Sequence, residues 1–145
     1  MNTLSGAYYP KLDEKGRIIL TAKLREYFVN GLVMTRGQDG CLLLFTAAAF
    51  EARAEVLAQA PITNREARNY VRMFMSGAHS ETPDKQGRVT IPVALRQYAS
   101  LVRELTVIGA GNHAEIWDAT AWQNFESSQE FSYSSLAEEV IPGII

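Results

Sequence analysis

The sequence predicts an α+β, β-rich fold in which two copies of one small unit complete a single sheet or barrel. Three observations predict it: an internal duplication at a spacing of 71 residues, an Asp-x-x-x-Arg turn ahead of a short β-branched run in each copy, and a short helical stretch after each run. Ser5-Gly6-Ala7 recurs as Ser76-Gly77-Ala78, Asp13-Glu14-Lys15-Gly16-Arg17 as Asp84-Lys85-Gln86-Gly87-Arg88, and Leu24-Arg25 as Leu95-Arg96, so that eight of 21 aligned residues are identical. A slip to 72 then aligns Gly37 with Gly109, Phe45 with Trp117, Ala47 with Ala119 and Phe50 with Trp122. Self-similarity at a fixed period fixes an architecture that every later assignment must satisfy. The units are read as 5–57 and 76–125, joined by a connecting segment at 58–75 and followed by an acidic tail at 126–145. A unit of about 50 residues buries too little surface to stand alone, so the two are expected to share one core.

In each copy the Asp supplies a side chain that bonds backbone N–H groups ahead of it, and the Gly takes the positive φ of a tight hairpin. The turn feeds a strand, Arg17-Ile18-Ile19-Leu20 in one copy and Arg88-Val89-Thr90-Ile91 in the other. Residues 22–28 and 93–99 read as one or two helical turns, and 29–36 and 105–108 as further strands. Residues 41–45 and 114–117 are last strands, each followed by a polar cap, Thr46 or Asp118, and a short helix carrying Phe50 or Trp122. The β-branched and aromatic content of these runs is what suits them to a pleated, half-buried surface. The connecting segment holds a helix: Thr63-Asn64-Arg65-Glu66 has capping-box form, and Ala67, Val71, Phe74 and Met75 mark an apolar stripe. Arg65, Arg68 and Arg72 fall on another face of that helix, as a solvated face or as a phosphate or subunit contact. After Glu126 the chain is acidic and Ser-rich, with Ser135-Leu136-Ala137-Glu138 as a last cap and no further structure assigned.

Hydrophobic residues at 47% and charged residues at 21% exclude wholesale disorder and low-complexity architectures. The lone Cys41 excludes an intrachain disulfide framework. The longest uncharged apolar stretch, residues 40–50, is far short of the roughly 20 residues that span a bilayer, and no basic-then-apolar leader follows Met1. The expected location is cytoplasmic. The net charge of −2 conceals an asymmetry: residues 1–103 hold all 14 Lys and Arg against nine acids, and residues 104–145 hold the other seven acids and no Lys or Arg. A basic face early and a solvating or self-masking tail late follow from that ordering.

The chemistry resides in the two Asp-x-x-x-Arg motifs. A carboxylate four residues before a guanidinium, across a tight turn, can fix the fork of Arg17 or Arg88 in an outward pose before any ligand arrives. Preorganised arginines suit DNA, where a bidentate arginine reads guanine O6 and N7, and Lys15 or Lys85 beside it is placed for a phosphate. The alternative is a hairpin turn with a surface ion pair and no ligand at all.

With these motifs in view, the chain resembles the MraZ family of transcriptional regulators, whose members carry two SpoVT/AbrB-type units, each with an Asp-x-x-x-Arg motif. The resemblance covers roughly residues 5–125: the paired motifs, the run Arg36-Gly37-x-Asp39-Gly40-Cys41-Leu42, the aromatic pair before and in the short helix, and Leu95-Arg96-Gln97-Tyr98-Ala99. It implies tandem SpoVT/AbrB-like units forming a pseudo-symmetric swapped-hairpin β-barrel with short helices. It also implies a homo-oligomeric ring, and repression through repeated DNA boxes upstream of the chain's own operon, a division and cell-wall gene cluster. The DNA-facing residues implied are Asp13 and Arg17 of the first motif and Asp84 and Arg88 of the second, with Lys15 and Lys85 as positioning neighbours. The first motif lies in the more basic segment, since residues 11–36 carry six positive and three negative charges. The first copy departs from the pattern at Thr21, where the second has Pro92.

Two rival classes are weighed. For an enzyme, Cys41, His79 and His113 are the nucleophile and imidazole candidates, with Glu81 and Glu115 nearby, yet His113-x-Glu115 lacks the Pro-Cys-x-x-Cys that would complete a zinc site. Since what is duplicated is Asp, Gly and Arg, no catalysis, cofactor, metal or small-molecule substrate is expected. The other rival is a protein-interaction module, a ring scaffold or toxin-neutralising partner, which would need no exposed arginine. Double-stranded DNA and further copies of the chain are the expected partners, nucleoid association the expected setting, and no membrane contact is expected.

Overall fold

The structure, a computed structural model, describes residues 3–140. The elements run β1 (Ala7–Tyr8), β2 (Arg17–Ile19), α1 (Ala22–Tyr27), β3 (Leu32–Arg36), β4 (Leu42–Thr46), α2 (Ala47–Leu57), α3 (Arg65–Ser76), β5 (His79–Glu81), β6 (Arg88–Thr90), α4 (Val93–Tyr98), β7 (Leu105–Gly109), β8 (Ala114–Asp118), α5 (Ala119–Glu130) and α6 (Tyr133–Val140).

The duplication sets the strand pairing. β2 and β6 form a two-stranded antiparallel ribbon in which Ile18 lies opposite Val89, its own counterpart at a spacing of 71. In the six-stranded sheet, ordered β1-β7-β8-β4-β3-β5, Leu43 of β4 lies opposite Glu115 of β8, again counterparts, at a spacing of 72. A local two-fold therefore passes through both contacts. The first strand of each copy joins the other copy: β1 pairs with β7, and β5 pairs with β3. All these ladders are antiparallel, so the predicted mixed, strand-rich fold of two interlocked units is the one observed, as a six-stranded sheet and a two-stranded ribbon around a common core.

That core takes matching residues from both copies. Ile18 and Val89, Leu20 and Ile91, Leu24 and Leu95, and Leu32 and Leu105 are all buried in one cluster, where Phe28 is matched by the smaller Ala99. Burying each large aliphatic side chain is worth roughly 1.5–3 kcal/mol, and a two-stranded ribbon is marginal without such a face to bury. The ribbon persists because Ile18 and Val89 point inward and because the Leu20 N–H donates to Gly87 O at 2.8 Å, with the Ile91 N–H donating to Gly16 O at the same distance.

Several expectations shift. The strand expected from residue 29 begins at Leu32, because the chain turns at Gly31 with φ +111°. Register makes Arg36, and not Gly37, the counterpart of Gly109: β3 and β4 are joined by residues 37–41, whereas β7 and β8 are joined by residues 110–113, one fewer. The helix of the connecting segment is capped by Asn64, whose Oδ1 accepts from the Ala67 N–H at 3.0 Å, one residue after the expected Thr63. Its inner face uses Tyr70 and Phe74, while Met75 is exposed. Thr46 caps α2 by accepting from the Ala49 N–H, but Asp118 does not cap α5; its Oδ1 accepts from the Val102 N–H instead. Residues 126–130 continue α5, and Ser135 lies inside α6 rather than at its start; the remainder of the acidic tail, 141–145, lies outside the described residues.

Candidate nucleic-acid interface

Both motifs fold into the same turn for a local reason, since all its bonds fall within five residues. Asp13 Oδ1 accepts from the backbone N–H groups of Lys15 at 2.8 Å and Arg17 at 2.9 Å, and Oδ2 accepts from Arg17 Nε at 3.1 Å. Asp84 repeats the pattern with the N–H groups of Gln86 at 2.9 Å and Arg88 at 2.8 Å, and with Arg88 Nε at 2.7 Å. The Arg17 backbone N–H, first, and then its side chain hold the Asp13 carboxyl below the ordinary carboxylate range; the Arg88 N–H does the same for Asp84. Each guanidinium is tied through Nε, and among the described residues its two Nη groups bond nothing. They are the donors a ligand would meet.

The ribbon brings the two forks together. Because side chains alternate along a strand, Ile18 and Val89 facing the core put Arg17, Ile19, Arg88 and Thr90 on the outer face. Arg17 lies opposite Thr90 and Arg88 opposite Ile19, so the arginines are diagonal neighbours with backbone positions about 7–8 Å apart. Lys15 and Lys85 are both exposed but are not counterparts: in the second turn the place of Lys15 is taken by Gln86, and Lys85 matches Glu14. All six expected residues lie on the two turns or the ribbon that joins them.

Two residues of this surface escaped the sequence reading. A Cβ built at Gly16, φ +78°, would lie 2.7 Å from Arg96 Cζ, and one at Gly87, φ +76°, would meet the Arg25 guanidinium. Each copy's helix therefore lays an arginine over the turn of the other copy, and both glycines are buried beneath it. Arg96 is further held by Nε donating to Ile91 O at 2.8 Å. The signal was present in the identity of Leu24-Arg25 and Leu95-Arg96 across the repeat; only the strand pairing shows what these arginines cover.

The alternative chemistry gathers nothing comparable. Burial pushes the Cys41 thiol up to about 12, with Glu115 and Asp39 adding to the rise, so it is no nucleophile at neutral pH. His113 stands 3.9 Å from Glu115, which also accepts from Trp117 Nε1 at 2.9 Å; the His113 contact holds the Glu115 carboxyl below its ordinary range. His79 Nε2 is buried without a hydrogen-bond partner. Among the described residues no three His, Cys, Asp or Glu side chains converge as a metal site would require, and no helix is long and apolar enough to cross a membrane.

Comparison with known proteins matches the sequence to a family. The family model described as "MraZ protein, putative antitoxin-like" matches the chain twice, over residues 3–73 and 73–142. The chain is 56% identical over 139 residues to the transcriptional regulator MraZ of Leifsonia xyli subsp. xyli, covering 96% of this chain and 97% of that protein. It is 52% identical to the protein of the same name from Micrococcus luteus and 54% identical to that from Kocuria rhizophila, over the same shares of each chain. Matched in both halves and along nearly its full length, the chain belongs to the MraZ family.

Proposed function

We propose that the chain is a sequence-specific DNA-binding transcriptional repressor of its own operon and of the division and cell-wall gene cluster, reading repeated promoter boxes through Asp13 and Arg17 and through Asp84 and Arg88. The observation that carries the reading is the pair of forks on one ribbon face, each tied by Nε to its own carboxylate with its Nη groups unbonded among the described residues. A two-stranded ribbon fits the major groove, and a diagonal of about 7–8 Å between the arginines is close to two base steps of about 3.4 Å each. Each bidentate arginine on guanine O6 and N7 contributes roughly 1–3 kcal/mol of discrimination. Lys15 and Lys85 take phosphates, which position the ribbon without reading sequence. The names of the relatives, transcriptional regulators, support the same reading.

The acidic last third opposes DNA at long range, and avidity offsets it: a ring of several copies, each carrying the units 5–57 and 76–125, gains effective concentration on repeated boxes without any new contact. The setting is cytoplasmic and nucleoid-associated, and the reading uses no cofactor, metal or small-molecule substrate. A second reading, a protein-binding scaffold, draws on the exposed Phe131, Tyr133 and Val140 near the end of the described chain. Fluorescence anisotropy on a duplex from upstream of the chain's own gene, against a scrambled duplex across a salt series, separates the two. Preference for the first duplex, with log K falling by about 0.9 per phosphate contact for each unit of log salt, supports DNA reading. Indifference at every salt concentration overturns it in favour of the scaffold.

A further inference from the structure

The outer face of the β2–β6 ribbon departs from two-fold symmetry at one place. Arg17 and Arg88 are counterparts and identical, whereas the counterpart of Ile19 is Thr90. Glu81 accepts a hydrogen bond from the Thr90 N–H and so closes that edge of the ribbon with a carboxylate. The counterpart of Glu81 at a spacing of 71 is Pro10, which has no acceptor side chain, and among the described residues no side-chain acceptor meets the Ile19 N–H. Thr90 is half-buried, while Ile19 is 60% exposed.

Single exposed apolar side chains are ordinary on protein surfaces. This one is set apart by its neighbours: it lies directly across from Arg88 and two residues along from Arg17, both of which have Nη groups unbonded among the described residues. Its orientation is fixed, because Ile18 takes the inward position and the strand alternates. An isoleucine has no donor or acceptor to offer a base edge. Among the groups that base pairs display in the major groove, the C5 methyl of thymine is the one that an apolar side chain recognises.

We propose that Ile19 is a specificity-determining residue that packs on the C5 methyl of a thymine in the major groove, beside the guanine taken by Arg88. The inference rests on the DNA-reading function proposed above and adds a polarity to it: the larger, exposed apolar side chain stands at the Ile19 end of the ribbon, and the half-buried Thr90 at the other.

The test uses the full chain and a duplex enriched by the wild-type protein from a random-sequence pool. Each thymine of that duplex is replaced in turn by deoxyuridine, which removes the methyl and keeps the pairing, and dissociation constants are measured for wild type, Ile19→Ser and Ile19→Val. The expected result is one thymine whose replacement weakens wild type by about fourfold per engaged subunit, the value of one buried methyl. Ile19→Val should keep that loss and Ile19→Ser should abolish it, with both variants melting as wild type does. Equal binding of every uridine duplex, an enriched duplex without such a thymine, or the same loss in Ile19→Ser overturns the inference alone. Failure to enrich any sequence overturns the DNA-reading function and this inference with it.

Discussion

The guanidinium of Arg96 lies over Gly16, 80 residues earlier in the chain, and occupies the space where any side chain on that glycine would stand. The mirror contact puts Arg25 over Gly87. These crossed braces join each Asp-x-x-x-Arg turn to the helix of the other copy, so the two motifs are one mechanical unit.

Gly16→Ala is expected to destabilise the fold by more than a positive φ alone would. Gly40, φ +74° with nothing within 4 Å of a built Cβ, provides the control. Gly40→Ala should cost about 1–2 kcal/mol for the left-handed conformation, and Gly16→Ala clearly more, since Arg96 must also be displaced. Urea denaturation of Gly16→Ala, Arg96→Ala and the double variant checks this, and additive costs would argue against the brace.

Arg17→Ala and Arg88→Ala should each weaken specific DNA binding by about 1–3 kcal/mol per lost base contact, with melting temperature little changed because both side chains are on the outer face. Lys15→Ala should instead weaken specific and scrambled duplexes alike and lower the salt slope by about one contact. Anisotropy titrations at two salt concentrations distinguish the patterns.

The turns should fail in acid. The folded Asp13 and Asp84 carboxyls titrate below the ordinary value, so their contribution is fully present above the unfolded value of about 3.9 and is lost as pH falls through the depressed folded values. Stability and DNA binding should therefore be insensitive to these groups between pH 8 and 5 and decline below about pH 4. In Asp13→Asn with Asp84→Asn that acid-dependent part should shrink, as read from denaturation midpoints against pH.

Cys41 should resist alkylation. It is buried at 2% exposure with its thiol pushed up to about 12, so iodoacetamide at pH 8 should label the native chain far more slowly than the chain in urea. Comparable rates would mean that the β3–β4 hairpin opens readily.

What could be read along the chain was local. The Asp13 and Asp84 turns, the strands at Ile18 and Val89 and the helices after them follow from bonds and periodicities spanning a few residues, and the repeat announced itself as identity at a spacing of 71. The Thr63 cap and the matching of Gly37 to Gly109 missed by one residue, as a capping box and its neighbour look alike and a loop one residue shorter leaves no mark in composition. Only the fold decided that β2 meets β6, that β1 and β5 cross to the other copy, that Arg25 and Arg96 cover each other's turns, and that Ile19 stands open where Thr90 is closed by Glu81. An alternating strand specifies which of its faces is buried but not which strand lies beside it; that choice is made when matching apolar faces from distant parts of the chain fill a common core.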